Sequence, residues 1–511
     1  MATEPQAITP GASQRATRKE WFGLGVLALP CLLYSMDLTV LNLAVPRISA
    51  ALKPSGPELL WMVDIYGFLL AGFLIPMGSL GDRIGRRRLL LSGALAFGIG
   101  SVFAAFATTS AMLIAARALL GIAAATLAPS TLSLIRNMFL DPRQRTMAVS
   151  IWVTSFSAGA AVGPLLGGLL LQRFWWGSVF LLAVPVMVLL LILGPLVLPE
   201  LRDPSARRVD LVSAVLSLAA VLLLVYGIKQ FAQDGLTWLA GLAALAGIVT
   251  AIAFVDRQRR LEQPLVDLRL FRKPEFSAAL AINLFSILAV SGAFLFIAQY
   301  LQLVVGLSPL IAGLWTIPSA AGMVAGSMLA PLAIRRASPW AVTAAAMAIS
   351  AVGFGMVTQA RGTGGLLVVV VGSTIFALGI SPAVALATDL IVGSVPPEHA
   401  GMASGMSETS TELGGALGIA ILGAVGLAVY RSQVDLRSLL SGQAAEAARS
   451  TLGAALAASD ELPPVNAAIL TGTAREAFTR GLQLTSLISA VICLAAAVMA
   501  AQMARSSGKR V

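Results

Sequence analysis

Five ionisable side chains lie inside long apolar stretches of this 511-residue chain: Asp37, Asp64, Arg117, Glu408 and Glu412. A charge in lipid costs about 2.5–3.5 kcal/mol at a helix centre even on the mildest insertion scale, so each of these residues needs a partner or a task. Exchange is the task open to a sequestered carboxylate, because a proton and an organic cation both neutralise it and therefore compete for it. Spacing adds aromatic rings: Tyr34 comes three residues before Asp37 and Trp61 three before Asp64, which places each ring on the same helix face as its acid. Aromatic faces attract organic cations, by about 2 kcal/mol when desolvated. Trp61 also suits the aromatic belt at the end of a span. Glu408 and Glu412, four residues apart, share a face and resist double ionisation, as a proton relay requires. The alternative for Glu408 is an N-terminal helix cap. Arg117 either tunes Asp37 or Asp64, or ties helices 1, 2 and 4 together as an ion pair.

The elements that position these residues are membrane helices. The chain is 58% hydrophobic and 12% charged with a mean hydropathy of +0.88, far from the soluble norm of about half apolar and a quarter charged. Each helical span needs roughly 20 apolar residues. No alternating barrel pattern appears, so an all-α membrane protein is expected. Apolar runs predict 14 transmembrane helices at 21–45, 59–79, 89–107, 111–135, 147–171, 176–198, 210–231, 236–255, 276–304, 309–333, 340–360, 365–392, 403–430 and 481–503. An even count puts both termini on one side. Lys and Arg concentrate in the short loops on that side, which makes it the cytoplasm.

The net charge of +11 does not point to nucleic acid, because the arginines are scattered through short loops instead of gathered on one face. Cys31 and Cys493 lie in apolar runs and read as small buried hydrophobes. Asp389 and His399 read as solvated. No catalytic triad, metal-ligand cluster or phosphate loop is present in the sequence, so neither an enzyme nor a bound cofactor or metal is expected. The basic segment 256–275 reads as a seam between two halves of the molecule. Segment 431–480, alanine-rich and broken by Pro463 and Pro464, reads as a helical hairpin or lid, with a plain loop as the alternative.

Several short motifs fall on or between these spans. GSLGDRIGRRR at 78–88 forms the turn between spans 2 and 3, and GAAVGPLLGG at 159–168 lies in span 5. Gly159 and Gly163 make a small-xxx-small face that lets helices approach closely, and Pro164 removes a backbone hydrogen bond and bends the helix. Such a face could be a sliding contact between the two halves.

With these residues the chain resembles the major facilitator superfamily, specifically its fourteen-helix drug:proton antiporter branch. Gly78, Leu80, Asp82, Arg83, Gly85 and Arg86 resemble that superfamily's loop between helices 2 and 3. Arg117 and Gly121 resemble its fourth-helix motif, and Gly159, Gly163, Pro164, Gly167 and Gly168 its fifth-helix antiporter motif. Segments 36–46, 60–72 and 408–418 resemble signatures of the fourteen-helix branch in helices 1, 2 and 13. The chain departs from some relatives in having no acid in span 10, and its second-half counterpart of the basic loop is reduced to Arg335 and Arg336.

The resemblance implies two six-helix bundles, 21–198 and 276–503, with two inserted helices and the central loop at 199–275 and cytoplasmic tails at 1–20 and 504–511. It implies alternating access about a central site. In the basic loop, Asp82 would face the positive N-terminal end of a helix in the other bundle and act with Gly78, Arg83, Gly85 and Arg86 as a gate. The expected activity is proton-coupled efflux of lipophilic cations such as quaternary ammonium biocides, dyes and fluoroquinolones. The expected setting is a monomer in the bacterial inner membrane, with drugs, protons and lipid as partners and the proton gradient in place of a cofactor. The alternative keeps the fold and exports a neutral or anionic metabolite or a self-made antibiotic.

Overall fold

The computed structural model describes residues 15–507 except 201, 203–209, 236, 262, 263, 265, 267, 396–399, 435–444, 446, 447 and 461. Among the described residues every regular element is helical. The N-terminal half comprises α1 (Arg18–Leu52), α2 (Gly56–Ile84), α3 (Arg86–Ala105), α4 (Ser110–Met138), α5 (Pro142–Arg173), α6 (Ser178–Leu181) and α7 (Ala183–Val197). A hairpin of α8 (Leu211–Asp234) and α9 (Trp238–Arg260) follows. The C-terminal half comprises α10 (Pro274–Gln299), α11 (Pro309–Leu314), α12 (Ile317–Ala333), α13 (Pro339–Val357), α14 (Leu366–Gly393), α15 (Ala400–Gln433), α16 (Leu452–Ser459) and α17 (Pro464–Ser507).

By length and composition, 12 of these helices can cross a membrane, or 13 when the bent α1 is taken as one span. The fifth expected span coincides with α5, which is not among the 12 or 13, so the expected fourteen exceeds that count. Local chemistry sets the helix starts. Thr17 with Glu20, and Ser55 with Glu58, form reciprocal capping boxes on α1 and α2. Asp141, Ser308 and Ser338 cap α5, α11 and α13, each followed by a proline whose missing N–H is not needed there.

Within the N-terminal half α1 packs on α5, α2 on α4, and α3 on α4 and α7. In the C-terminal half the main pairs are α13 with α14 and α17, α10 with α15 and α17, and α12 with α14. Close crossings fall at glycines. A Cβ at Gly121 of α4 would sit 2.5 Å from the Tyr66 carbonyl oxygen of α2, so only glycine allows that approach.

The halves meet along α2 and α15, and where α5 meets α11. The described contacts between them gather from the middle of the molecule to the end remote from the N-terminus. There the Gln302 amide donates to the Leu43 carbonyl at 3.1 Å, and a Cβ on Gly453 would lie 2.9 Å from Ser49 Cβ. The α8–α9 hairpin lies beside this seam: α8 touches both α2 and α15, whereas α9 packs chiefly on α8. On α9, Leu242, Leu245, Ile248, Val249 and Ile252 are exposed, an apolar flank suited to acyl chains.

Three expected elements differ in detail. Span 6 is broken into α6 and α7, and span 10 into α11 and α12 around Trp315 and Thr316. Span 9 ends in a π-turn at Tyr300–Val304. In the segment 431–480, α15 continues to Gln433, α16 follows, and α17 starts with Pro464 at its first turn. The helical reading of this segment therefore holds for its second part, where α17 continues without a break into the last span instead of forming a separate hairpin. Leu470, Ala474 and Phe478, at helical spacing, bury a face that carries the helix through this part.

Candidate functional site

The five charges expected within spans separate into three groups. The first ties the N-terminal half together. α1 bends by 43° between Arg18–Asp37 and Thr39–Leu52, which sets Asp37 at the bend. Arg117 of α4 is fully buried and its Nη1 lies 2.5 Å from Asp37 Oδ2. Its Nε donates to the Met62 carbonyl of α2 at 3.2 Å, and the guanidinium stands 4.4 Å over the Tyr66 ring. One side chain thus holds α1, α2 and α4, the geometry of the tie among the two readings of Arg117. Its ion partner is Asp37 and not Asp64.

The second group contains a charge that sequence reasoning missed. Asp64 of α2 lies 2.7 Å from Nζ of Lys229 on α8, and both side chains are almost wholly buried. The Lys229 ammonium also stands 3.7 Å over the Trp61 ring. At 2.7 Å this is a charge-assisted contact within hydrogen-bonding distance, buried on both sides. Trp61 is therefore a cation-facing ring rather than a free belt residue. Lys229 escapes notice in the sequence because it stands five residues before the end of α8, in a stretch that reads as the approach to a loop. Its depth, matching that of Asp64 eight residues into α2, is the signal that could have found it.

The third group crosses the seam. The Tyr34 hydroxyl of α1 donates to Glu412 Oε1 of α15, joining the two halves. Tyr34 also meets Phe156 edge-on at 5.5 Å and Tyr66 at 6.4 Å, and Phe156 in turn packs on Trp152 at 4.8 Å. Although three residues apart on one helix, Tyr34 and Asp37 serve different partners. Glu408 lies one turn before Glu412 and eight residues into α15, so it is not the cap of that helix. Glu408 and Glu412 are both half-buried.

The basic turn forms a separate station. Gly85 joins α2 to α3 at φ 114°, the left-handed side that favours glycine, and it offers α3 no side-chain cap. Glu200 supplies one from beyond α7: its Oε1 accepts from the Arg87 amide at 3.2 Å. Arg87 and Arg88 approach the same carboxylate at 3.6 and 3.7 Å, and Arg87 Nη1 donates to the Leu198 carbonyl at 2.9 Å. Arg86 reaches the Pro129 carbonyl of α4 at 3.5 Å, near which Gly78 also packs. Arg83 is exposed. The Asp82 side chain and His399 lie outside the described residues, so nothing here bears on the expected gate through Asp82.

The glycine motif divides between two neighbours, which corrects the single sliding face read from its spacing. Gly159, Gly163 and Gly167 pack on Leu32, on Met36 and Thr39, and on Val40, all of α1 in the same half. The contact between halves comes instead from Gly168 and Pro164. A Cβ on Gly168 would lie 2.8 Å from Leu310 Cα, and one on Gly313 of α11 would lie 2.6 Å from the Pro164 carbonyl oxygen. Spacing defines a small-residue stripe but not which helix lies against it. Elsewhere, Asp389 is exposed, Cys31 and Cys493 are free and buried, and no metal-ligand cluster occurs among the described residues.

Comparison with known proteins places this architecture. The family model described as Major Facilitator Superfamily matches residues 27–419. The multidrug efflux pump LfrA of Mycolicibacterium smegmatis is 43% identical over 491 residues, 96% of this chain and 97% of that protein. The methyl viologen resistance protein SmvA of Salmonella typhimurium is 36% identical over 90% of this chain and 93% of its own. The tetracenomycin C resistance and export protein of Streptomyces glaucescens is 29% identical over 97% and 94%. In fold, the chain is similar to a bacterial homologue of the human lysosomal transporter Spinster in an inward-facing, unoccupied conformation. That likeness has a TM-score of 0.66 at 17% identity and covers 95% of this chain and 98% of the other. The chain is thus a multi-pass membrane protein that belongs to the major facilitator superfamily, a family of transporters and not enzymes, and within it to the drug:proton antiporter branch.

Proposed function

We propose that this protein is a proton-coupled multidrug efflux antiporter of the bacterial cytoplasmic membrane, with both termini in the cytoplasm, and that it exports lipophilic cations by alternating access. The observation that carries the reading is the Tyr34–Glu412 contact: an acid of one half, bonded to an aromatic hydroxyl of the other, at the seam that must open and close. Protonation of Glu412 removes its charge, and a bound organic cation compensates that charge. The two occupants therefore exclude each other, and exclusion is what exchange coupling needs. Glu408, one turn away, passes the proton towards the cytoplasmic end. The aromatic group of Tyr34, Phe156 and Trp152 lies beside this contact and supplies flat apolar faces for dyes and quaternary ammonium compounds as the seam opens. The relatives named as multidrug and methyl viologen resistance proteins support drug export as the activity.

The test is ethidium efflux in proteoliposomes driven by an imposed pH gradient, with a proton uncoupler as control. Uncoupler-sensitive efflux is expected, and its loss in Glu412→Gln and Asp64→Asn. Transport of neutral or anionic compounds only, with no response to cations, would instead favour the metabolite exporter, a reading supported by the similarity to the tetracenomycin C export protein.

A further inference from the structure

The proposed mechanism leaves Lys229 without a task. It stands on α8, in the hairpin between the two halves, with 2% of its side chain exposed. It is one of five lysines; Lys19, Lys53 and Lys273 are exposed, and Lys509 lies in the C-terminal tail. Its ammonium is 2.7 Å from the Asp64 carboxylate and 3.7 Å above the Trp61 ring, so it has the two partners that a lipophilic cation seeks: a buried acid and an aromatic face.

Position adds to this. α8 packs against α2 and α15, one from each half, through Val225 beside Phe68, Ala416 and Ala420. Movement of the halves therefore moves Lys229 relative to Asp64. The neighbouring charges are accounted for: Arg117 is engaged by Asp37, and Glu412 by Tyr34.

We propose that Lys229 is a tethered stand-in for the cationic substrate, occupying the Asp64–Trp61 pair when no drug is bound, so that a substrate cation reaches that pair only by displacing the lysine. The inference rests on the cation-export reading and adds a specificity device to it. A large, weakly hydrated cation gains more from the Trp61 face than a small hydrated one and displaces the lysine more readily. Inorganic cations stay excluded. After release the lysine returns, so the acid is never left buried and uncompensated, and the empty carrier can reset.

Two measurements with tetraphenylphosphonium as probe decide the matter. In wild-type protein labelled with 13C at the lysine ε position, the Trp61 ring should shift the Lys229 signal upfield. Saturation with the probe should return it to the position of the exposed lysines. Lys229→Gln should bind the probe about ten-fold more tightly, because its competitor is gone, and Asp64→Asn combined with Lys229→Gln should lose that gain. An unmoved lysine signal at saturation, together with unchanged affinity in Lys229→Gln, overturns the inference while leaving cation export standing. Failure of the wild type to bind any organic cation overturns both. The labelling arm needs no variant, so it stands even where Lys229→Gln does not fold.

Discussion

Arg117 of α4 places its Nη1 2.5 Å from Asp37 Oδ2 of α1, and none of the arginine side chain is exposed. Removing one member of such a pair leaves the other as a buried, uncompensated charge, a loss of about 3–5 kcal/mol, whereas replacing both by apolar residues of similar size is often neutral. Arg117→Ala should therefore sharply lower yield and apparent melting temperature. Asp37→Leu combined with Arg117→Met should recover most of the loss. Fluorescence-detected size-exclusion chromatography after a heating series measures both. Efflux by the double variant would show that the pair fastens helices; a stable but inactive double variant would place Asp37 in the exchange itself.

Tyr34 and Glu412 give a different signature. Glu412→Gln keeps an acceptor for the tyrosine hydroxyl but cannot carry a proton. Uphill ethidium efflux under a pH gradient should vanish, while equilibration of ethidium down its own gradient persists. Tyr34→Phe forfeits one hydrogen bond, worth about 0.5–1.5 kcal/mol, and should reduce the coupled rate by up to about ten-fold. Initial rates in proteoliposomes separate these outcomes, and equal loss of coupled and downhill transport in Glu412→Gln would refute a proton-carrying role.

Gly85 and Glu200 act as a unit at the turn between α2 and α3. A Cβ at Gly85 would lie 2.7 Å from the Glu200 carboxyl carbon, and the φ of 114° is strained for any L side chain. Gly85→Ala should destabilise by about 1–2 kcal/mol. Adding Glu200→Ala should relieve the collision but not the strain, so the double variant stays less stable than wild type. Glu200→Ala alone should loosen the start of α3, measurable as faster hydrogen exchange at the Arg87 amide. Full recovery of stability in the double variant would show that crowding, and not backbone geometry, fixes the glycine.

Asp210 caps α8 through the Ser213 amide at 3.1 Å and pairs with Arg257 of α9 at 3.0 Å. Asp210→Ala removes cap and pair together, and an N-cap alone is worth about 1 kcal/mol. A lower melting temperature is expected. Because α8 carries Lys229 near its other end, altered cation affinity should accompany it. An unchanged melting temperature would mean that the hairpin is held by its apolar contacts alone.

The helices and the isolated charges are legible in the sequence because lipid penalises polarity position by position. Asp37, Asp64, Arg117, Glu408 and Glu412 stand out against their own neighbours. Their pairing is not legible, since it depends on which helices touch. Arg117 could have met Asp37 or Asp64, and the answer follows from the packing of α4 across α2 and from the bend in α1. Lys229 was hidden by its place near a helix end, where a lysine is ordinarily free to reach water. Gly159 and Gly168 read as one motif, yet the 3.6-residue period turns them towards different helices.

At Gly168 and Gly313 the two halves present naked main chain to each other. Neither glycine contributes a side chain of its own, so at these two points parting displaces no rotamer. Main chain held this closely against main chain gains from dispersion, and such atom-to-atom contacts are each worth under about 1 kcal/mol. A rim held in this way is readily reversible: it can come apart and close again each cycle on forces no larger than those of a single occupied charge site.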